Sequence, residues 1–156
     1  MIRRTVMASM AATLLLVAMT AGSALAARPV FVFSTLMTGA AEVPGPGDGD
    51  ASGHATVIIR PETDTVCWVL AWNRIDVTAE GPGVVAAHIH GPADTHTAVP
   101  PVVTFFQGVP HGSTDTDRGC TTSTEWADAI VADPSMFYVN VHSDVFGPGA
   151  IRGQLG

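Results

Sequence analysis

Short runs of β-branched and aromatic residues, each closed by glycine, proline, aspartate or serine, follow one another along most of this chain. Such runs predict strands joined by turns, and no stretch has the long 3.6-residue period of an extended helix. The predicted strands lie at residues 30–38, 53–60, 65–72, 84–90, 102–106, 137–142 and 150–155, with long surface loops at 96–101 and 111–124. The pattern indicates an all-β fold, an antiparallel Greek-key β-sandwich of immunoglobulin-like size.

One short helix interrupts this pattern. Thr122 and Glu125 have the spacing of a capping box. Trp126 and Ile130 lie four residues apart and would share one helix face, and Pro134 is a stop signal. We therefore expect a short helix near Trp126 that packs one face onto the sheet.

The first 26 residues resemble a secretory signal peptide. Arg3 and Arg4 form a positive region, residues 10–21 are apolar, and residues 24–26, Ala-Leu-Ala, match the small-x-small cleavage rule. We expect Sec-type export and cleavage after Ala26, which leaves residues 27–156 as one β-sandwich domain, secreted or periplasmic. The apolar run is short for a membrane span, so no span is expected after signal cleavage.

The charge of the chain argues against two classes of partner. There is no lysine, and without Arg3 and Arg4 five arginines remain against 14 acidic residues, a formal net charge of −9. Nucleic acid and anionic membrane surfaces are bound by clustered basic residues. Five scattered arginines in an acidic chain form no such cluster, so neither partner is expected.

Cys67 and Cys120 are the only cysteines. An even pair in an exported protein predicts a disulfide. The bond would close a loop of about fifty residues and stabilise the fold by roughly 4 kcal/mol. The alternative is a thiolate that binds metal or acts as a nucleophile, which an oxidising compartment disfavours.

Histidines on two predicted strands are the main functional signal. Side chains alternate between the faces of a strand, so His88 shares a face with His90, and Asn140 shares one with His142, while the opposite faces are apolar. If the strands meet, three imidazoles and one amide converge. Neutral imidazole is a good ligand for copper or zinc. His88, His90 and His142 are therefore candidate metal ligands, with Asn140 in support.

A structural role for the same histidines stays open. An imidazole beside a Gly-Pro turn can hydrogen-bond the carbonyls of that turn, because buried polar groups need such partners. In that case the histidines brace turns and bind no metal.

Two charges lie in otherwise apolar, β-rich surroundings. Glu42 and Arg152 are expected either to pair with each other or to tie down terminal strands through backbone hydrogen bonds. The alternative is two exposed, independent charges.

The remaining polar signals are less specific. We interpret His54, His96 and His111 as solvated, with a fourth metal ligand as the alternative for His54. We interpret the pairs Asp48/Asp50 and Asp115/Asp117 as turn residues, with calcium binding as the alternative.

Several segments resemble the CHRD family, the domain first described in chordin and widespread in exported bacterial proteins. The matching segments, in the order of the family, are 36–44 (LMTGAAEVP), 53–57 (GHATV), 88–93 (HIHGPA), 138–142 (YVNVH) and 148–155 (PGAIRGQL). The chain departs from the family in having Ala150 where glutamate is usual. The resemblance implies an all-β domain of immunoglobulin-like size and no particular reaction. In chordin the domain belongs to an extracellular ligand-binding protein.

Three functions are compatible with these features. The first is an exported binding module of unassigned ligand that holds copper or zinc through His88, His90 and His142. The second is a structural or cell-surface interaction protein whose histidines only brace turns. The third is a small copper or zinc enzyme loosely similar to copper–zinc superoxide dismutase. No Ser-His-Asp set, phosphate-binding loop or hydrolase-type carboxylate pair is recognisable, so we do not expect an enzyme. The sequence assigns no protein partner and no oligomeric state.

Overall fold

The computed structural model describes residues 28–156, which fold into an eight-stranded antiparallel sheet with one short α-helix. The strands are β1 Phe31–Thr38, β2 Ser52–Arg60, β3 Thr65–Asn73, β4 Val84–His90, β5 Pro101–His111, β6 Asp115–Thr122, β7 Tyr138–Ser143 and β8 Ile151–Gln154. The helix is α1, Ala127–Ala132. The predicted signal peptide, residues 1–26, lies outside the described residues.

The order of the strands bends the sheet back on itself. That order is β5-β4-β7-β8-β1-β2-β3-β6, so the two edge strands, β5 and β6, are consecutive in the chain. Only residues 112–114 separate them, which brings the two edges together at one corner. The all-β prediction is confirmed. The strands form one nearly closed, barrel-like sheet rather than the two separate layers of the predicted Greek-key β-sandwich.

The core fills the inside of this sheet. Alternate residues of β2 and β3 point inward, and Leu70 is among those fully buried. Trp68 of β3 stacks on Phe105 of β5 across the interior, with 4.8 Å between ring centroids. Apolar side chains removed from water in this way are the main stabilising contribution to such a fold.

The helix near Trp126 is confirmed, but its predicted cap is wrong. Helix α1 buries Ile130 in the core, with Trp126 at the N-cap and no side-chain capping bond. Thr122 is instead the last residue of β6. Thr122 pairs with β3 as part of the sheet, so it does not cap the helix as the capping-box pattern predicted.

The predicted loop at 111–124 is also wrong, because most of it is strand β6. The inward positions of β6 are polar or small, which hides the strand from a hydrophobic pattern. Asp117 accepts a hydrogen bond from Nε1 of Trp68 at 2.6 Å. Gly119 lies under the same indole, where a β-carbon would come within 2.5 Å of the ring. Two residues of strand β6 are thus fitted to one tryptophan of β3.

The predicted disulfide is confirmed. Cys67 and Cys120 are direct partners in the β3–β6 register, and their sulfurs are bonded across a sequence separation of 53. Both cysteines lie on the outer face of the sheet, since their neighbours Trp68 and Gly119 face inward.

The outer face of the sheet has two unlike halves. On β1, β2, β3 and β6 it is bare, and Leu36 is 74% exposed. On β4, β7 and β8 it is covered by the segments 39–50 and 91–99, and its outward polar side chains are mostly buried. No helix within residues 28–156 is long and apolar enough to cross a membrane.

Candidate metal centre

The two histidine-bearing strands are neighbours. Strand β4 pairs antiparallel with β7, which places His88 opposite Asn140, and His142 one pair further along the same face. The inward residues between them, including Ile89 and Val141, are completely buried in the core. The alternation of apolar and polar residues therefore anchors one face of each strand and presents the imidazoles on the other.

The three imidazoles form one compact cluster. Ring centroids are 5.0 Å apart for His88 and His142, 5.5 Å for His88 and His90, and 5.8 Å for His90 and His142. One ring nitrogen from each histidine lies within 4.8 Å of the others. His88 and His90 are each only 7% exposed, whereas His142 is half-buried. The cluster is thus largely desolvated, and His142 is its most exposed member.

Backbone carbonyls fix two of the tautomers. Nδ1 of His90 lies 2.7 Å from the carbonyl oxygen of Val99, and Nδ1 of His142 lies 2.9 Å from that of Gly147. A carbonyl only accepts, so each Nδ1 carries the proton and each Nε2 keeps its lone pair. Those two Nε2 atoms and Nδ1 of His88 are buried without a hydrogen-bond partner in residues 28–156.

Burial keeps the rings neutral. It is the main reason that the pKa of His88 and of His90 is lowered to about 4, and the neighbouring imidazoles contribute to the lowered pKa of His88. The pKa of His142 is lowered as well, again through burial. At neutral pH all three side chains are therefore uncharged imidazoles, which is the form that binds a metal ion.

The donor set fits a small ion after a modest closing movement. Three nitrogens on one zinc ion, each at about 2.05 Å, are separated by roughly 3.3 Å in tetrahedral geometry. The present separations reach at most 4.8 Å. Side-chain movements of about an ångström would bring the three nitrogens onto one ion.

A buried carboxyl group supports the opposite side of the cluster. Nδ2 of Asn140 donates to both carboxyl oxygens of Glu42, at 2.7 and 2.8 Å. Burial raises the pKa of Glu42 to about 7, against the opposing effects of the Asn140 hydrogen bond and the charge of Arg152. Gly149 makes room for this pair, since a β-carbon there would lie 2.5 Å from Oε2 of Glu42.

We expect the substitution Glu42→Gln to stabilise the protein at alkaline pH. The folded state holds the Glu42 proton up to a pKa of about 7, whereas the unfolded chain releases it near 4.5. The wild type therefore loses stability as pH rises from 4.5 through 7, by up to about 3 kcal/mol. Urea unfolding above pH 7 should show a higher midpoint for Glu42→Gln. A lower midpoint at every pH would mean that the ionised carboxylate is the stabilising form.

Arg152 makes its contacts away from Glu42. Its guanidinium donates to the carbonyl oxygens of Thr97 and Asp94, at 3.0 and 2.7 Å, and lies 3.5 Å from the centroid of the Tyr138 ring. No hydrogen bond or ion pair within the described residues joins it to Glu42. Each of the two charges thus ties a covering segment to the β7–β8 half of the sheet.

The other histidines stay apart from the cluster. His54 and His96 are exposed. His111 lies at the β5–β6 corner, with Nδ1 3.2 Å from a carboxylate oxygen of Asp115 and Nε2 3.9 Å from one of Asp117.

Three aspartates form a second cluster away from the histidines. Asp48, Asp50 and Asp76 each bring one carboxylate oxygen within 4.8 Å of the others. Asp48 is buried and accepts the backbone N–H of Asp76 at 2.6 Å, a long-range contact and not one within a turn. The sequence pattern of Asp48 and Asp50 had not included Asp76.

Three contacts of the histidines, two hydrogen bonds and one ring stack, were not predicted from the sequence. The two hydrogen-bond partners, the carbonyls of Val99 and Gly147, have no sequence signal because every residue carries such a group. Tyr138 did carry one, since it shares the outward face of β7 with Asn140 and His142. Its ring stacks on His90 at a centroid distance of 4.9 Å.

The sequence motifs that supply this cluster match a known family in order and position. A family model of the CHRD domain matches residues 33–155, from β1 to the end of β8. The chain belongs to the CHRD family. Neither curated proteins nor solved structures gave a significant match. The opening, central and closing CHRD segments noted in the sequence contribute Glu42, then His88 and His90, then Asn140, His142 and Arg152 to this one covered half of the sheet.

Proposed function

We propose that this CHRD domain is a metal-binding module that holds one copper or zinc ion through His88, His90 and His142. Two observations carry the proposal. Each of the three imidazoles has one buried ring nitrogen without a hydrogen-bond partner in residues 28–156, and one ring nitrogen from each lies within 4.8 Å of the others. Unsatisfied buried polar atoms are costly, and a cation that accepts three lone pairs removes that cost.

The surroundings of the rings favour the same function. Histidine ligands commonly donate their second ring nitrogen to a carbonyl, which sets the tautomer and the ring orientation. His90 and His142 make this contact with Val99 and Gly147. The donor set has no thiolate and no carboxylate, and neutral imidazoles suit copper and zinc better than calcium or magnesium.

Turn bracing is the second candidate function, and the same two hydrogen bonds favour it. Each joins a strand to a covering loop, as expected of a structural or cell-surface interaction protein whose histidines hold its loops in place. The two functions differ in the nitrogens that face the centre of the cluster, which bracing leaves unused and metal binding engages.

Metal binding by the purified, untagged protein tests the proposal. Equilibrium dialysis against zinc and copper, with a competing chelator, should give one bound ion per chain. The variant His88→Ala/His90→Ala should bind at least about 100-fold more weakly. The control His54→Ala/His96→Ala, which removes two exposed imidazoles, should bind like the wild type.

Two results would count against the proposal. One is a wild type that binds neither metal, and the other is equal binding by the cluster variant and the control. If the cluster variant is also less stable than the control while no protein binds metal, the turn-bracing function explains the histidines.

We also propose that the protein works in an oxidising compartment, secreted or periplasmic. The support is the Cys67–Cys120 disulfide, since such bonds persist mainly outside the cytosol, together with the signal-like composition of residues 1–26. Mass spectrometry of the protein from the culture medium or periplasm should give an N-terminus at residue 27.

A further inference from the structure

We infer that Arg152 is a positioning residue for His90, which it holds in the metal-binding tautomer and orientation from the far side of strand β7. The inference rests on the proposed metal site for its effect on affinity. Its effect on the tautomer stands without any metal.

The first connection is a stack of the His90 ring, the Tyr138 ring and the Arg152 guanidinium. Strand β7, which carries Tyr138, lies between β4, which carries His90, and β8, which carries Arg152. The His90 ring lies parallel to the Tyr138 ring, with an interplanar angle of 7° and a centroid distance of 4.9 Å. The Arg152 guanidinium lies 3.5 Å from the centroid of the same tyrosine ring. A cation this close to an aromatic face is attracted to it, so Arg152 fixes the surface on which His90 stacks.

The second connection runs through the covering segment 91–99. Arg152 donates to the carbonyls of Asp94 and Thr97 and so holds this segment against the sheet. Val99, two residues further along, accepts the Nδ1 proton of His90 at 2.7 Å. The Tyr138 hydroxyl also contacts the backbone of Val99, at 3.3 and 3.4 Å. Arg152 therefore fixes both the ring beneath His90 and the carbonyl that sets its tautomer.

The character of Arg152 suits this role. The residue is only 2% exposed, and its hydrogen bonds go to backbone carbonyls and to the side chain of Gln154. A planar guanidinium can stack on a ring and donate sideways at the same time, which a lysine ammonium cannot do. In this way Arg152, in the closing segment 151–155, positions His90, which precedes it by some sixty residues.

The tautomers of the metal-free protein test the inference directly. In long-range ¹H–¹⁵N spectra at neutral pH, wild-type His90 should be protonated at Nδ1. In Arg152→Lys, which keeps the charge but loses the fork, His90 should become a mixture of tautomers. His142 is the internal control, because its partner Gly147 lies outside the segment that Arg152 holds. Zinc affinity should fall about 10- to 100-fold.

A matched variant separates positioning from general stabilisation. Gln154→Ala removes bonds to Ala93 and Ser135 and one bond from Arg152. It leaves the stacking on Tyr138 and the Arg152 bonds to Asp94 and Thr97, so the His90 tautomer should not change. If Arg152→Lys does not fold, Tyr138→Leu removes the middle of the stack and should give the same His90-specific change.

An unchanged His90 tautomer in Arg152→Lys would overturn the inference, and so would equal changes at His90 and His142. If the tautomer responds as expected while the wild type binds no metal, the positioning role stands and the metal-binding function fails.

Discussion

Acidification from neutral pH to about pH 4 will destabilise the metal-free protein strongly, by about 3 kcal/mol for each of His88 and His90. The unfolded chain takes up these protons near 6.5, the ordinary pKa of histidine, whereas in the folded protein the pKa of each ring is about 4. Between those values the unfolded state binds more protons, so stability falls as pH falls through this window. His142, whose pKa is also lowered, acts in the same direction.

The titration of Glu42 has the opposite effect on stability in acid, so the pH profiles should be compared in a protein without this carboxyl group. Its raised pKa makes the folded state more stable toward acid, so Glu42→Gln is the suitable background. Urea unfolding midpoints should then fall steeply with acid in that background and much less steeply after His88→Ala/His90→Ala. Saturating zinc should raise the midpoint at neutral pH and lose this effect in acid, because protons compete for the same nitrogens. Parallel pH profiles with and without the two histidines would contradict this account of their burial.

Replacing Cys67 and Cys120 together by alanine will lower the free energy of unfolding by about 4 kcal/mol. The disulfide closes a loop with a sequence separation of 53, and most of its expected effect lies in restricting the unfolded chain. It also joins β6, an edge strand with few inward apolar side chains, to its neighbour β3. Removing both cysteines avoids leaving a free thiol.

The proposed metal site offers a control for the disulfide variant. Strands β3 and β6 lie at the opposite end of the strand order from β4 and β7. Zinc affinity of the folded double variant should therefore match that of the wild type. The loss of stability should equal that produced by reducing the wild-type disulfide. A change below about 1 kcal/mol, within the lower range for disulfides, would show that the bond contributes little to this fold.

Local patterns were sufficient to predict the strands that carry the site. Alternation in β4 and β7 correctly separated the apolar residues from His88, His90, Asn140 and His142, since a buried face enforces a period of two. The predicted disulfide needed only the count of cysteines and the signal-like N-terminus. The convergence of the histidines additionally required β4 and β7 to pair, which the sequence allowed without requiring.

Long-range packing decided the features that the patterns missed. Strand β6 was missed because Asp117 and Gly119 are matched to Trp68 rather than to a hydrophobic rule. Apolar residues on both faces of a strand are typical of a covered strand, yet Val69 on the outer face of β3 is 48% exposed. The choice between a sandwich and one closing sheet depends on the β5–β6 corner, and no local pattern encodes which edges of a sheet meet there.

X-ray absorption spectroscopy of the zinc-loaded protein reports the metal ligands themselves. A three-histidine centre should show three imidazole nitrogens at about 2.0 Å and one further light ligand from solvent. The His88→Ala/His90→Ala variant should lose this imidazole signature. A first shell dominated by oxygen, as the acidic group of Asp48, Asp50 and Asp76 would supply, would contradict a three-histidine metal centre.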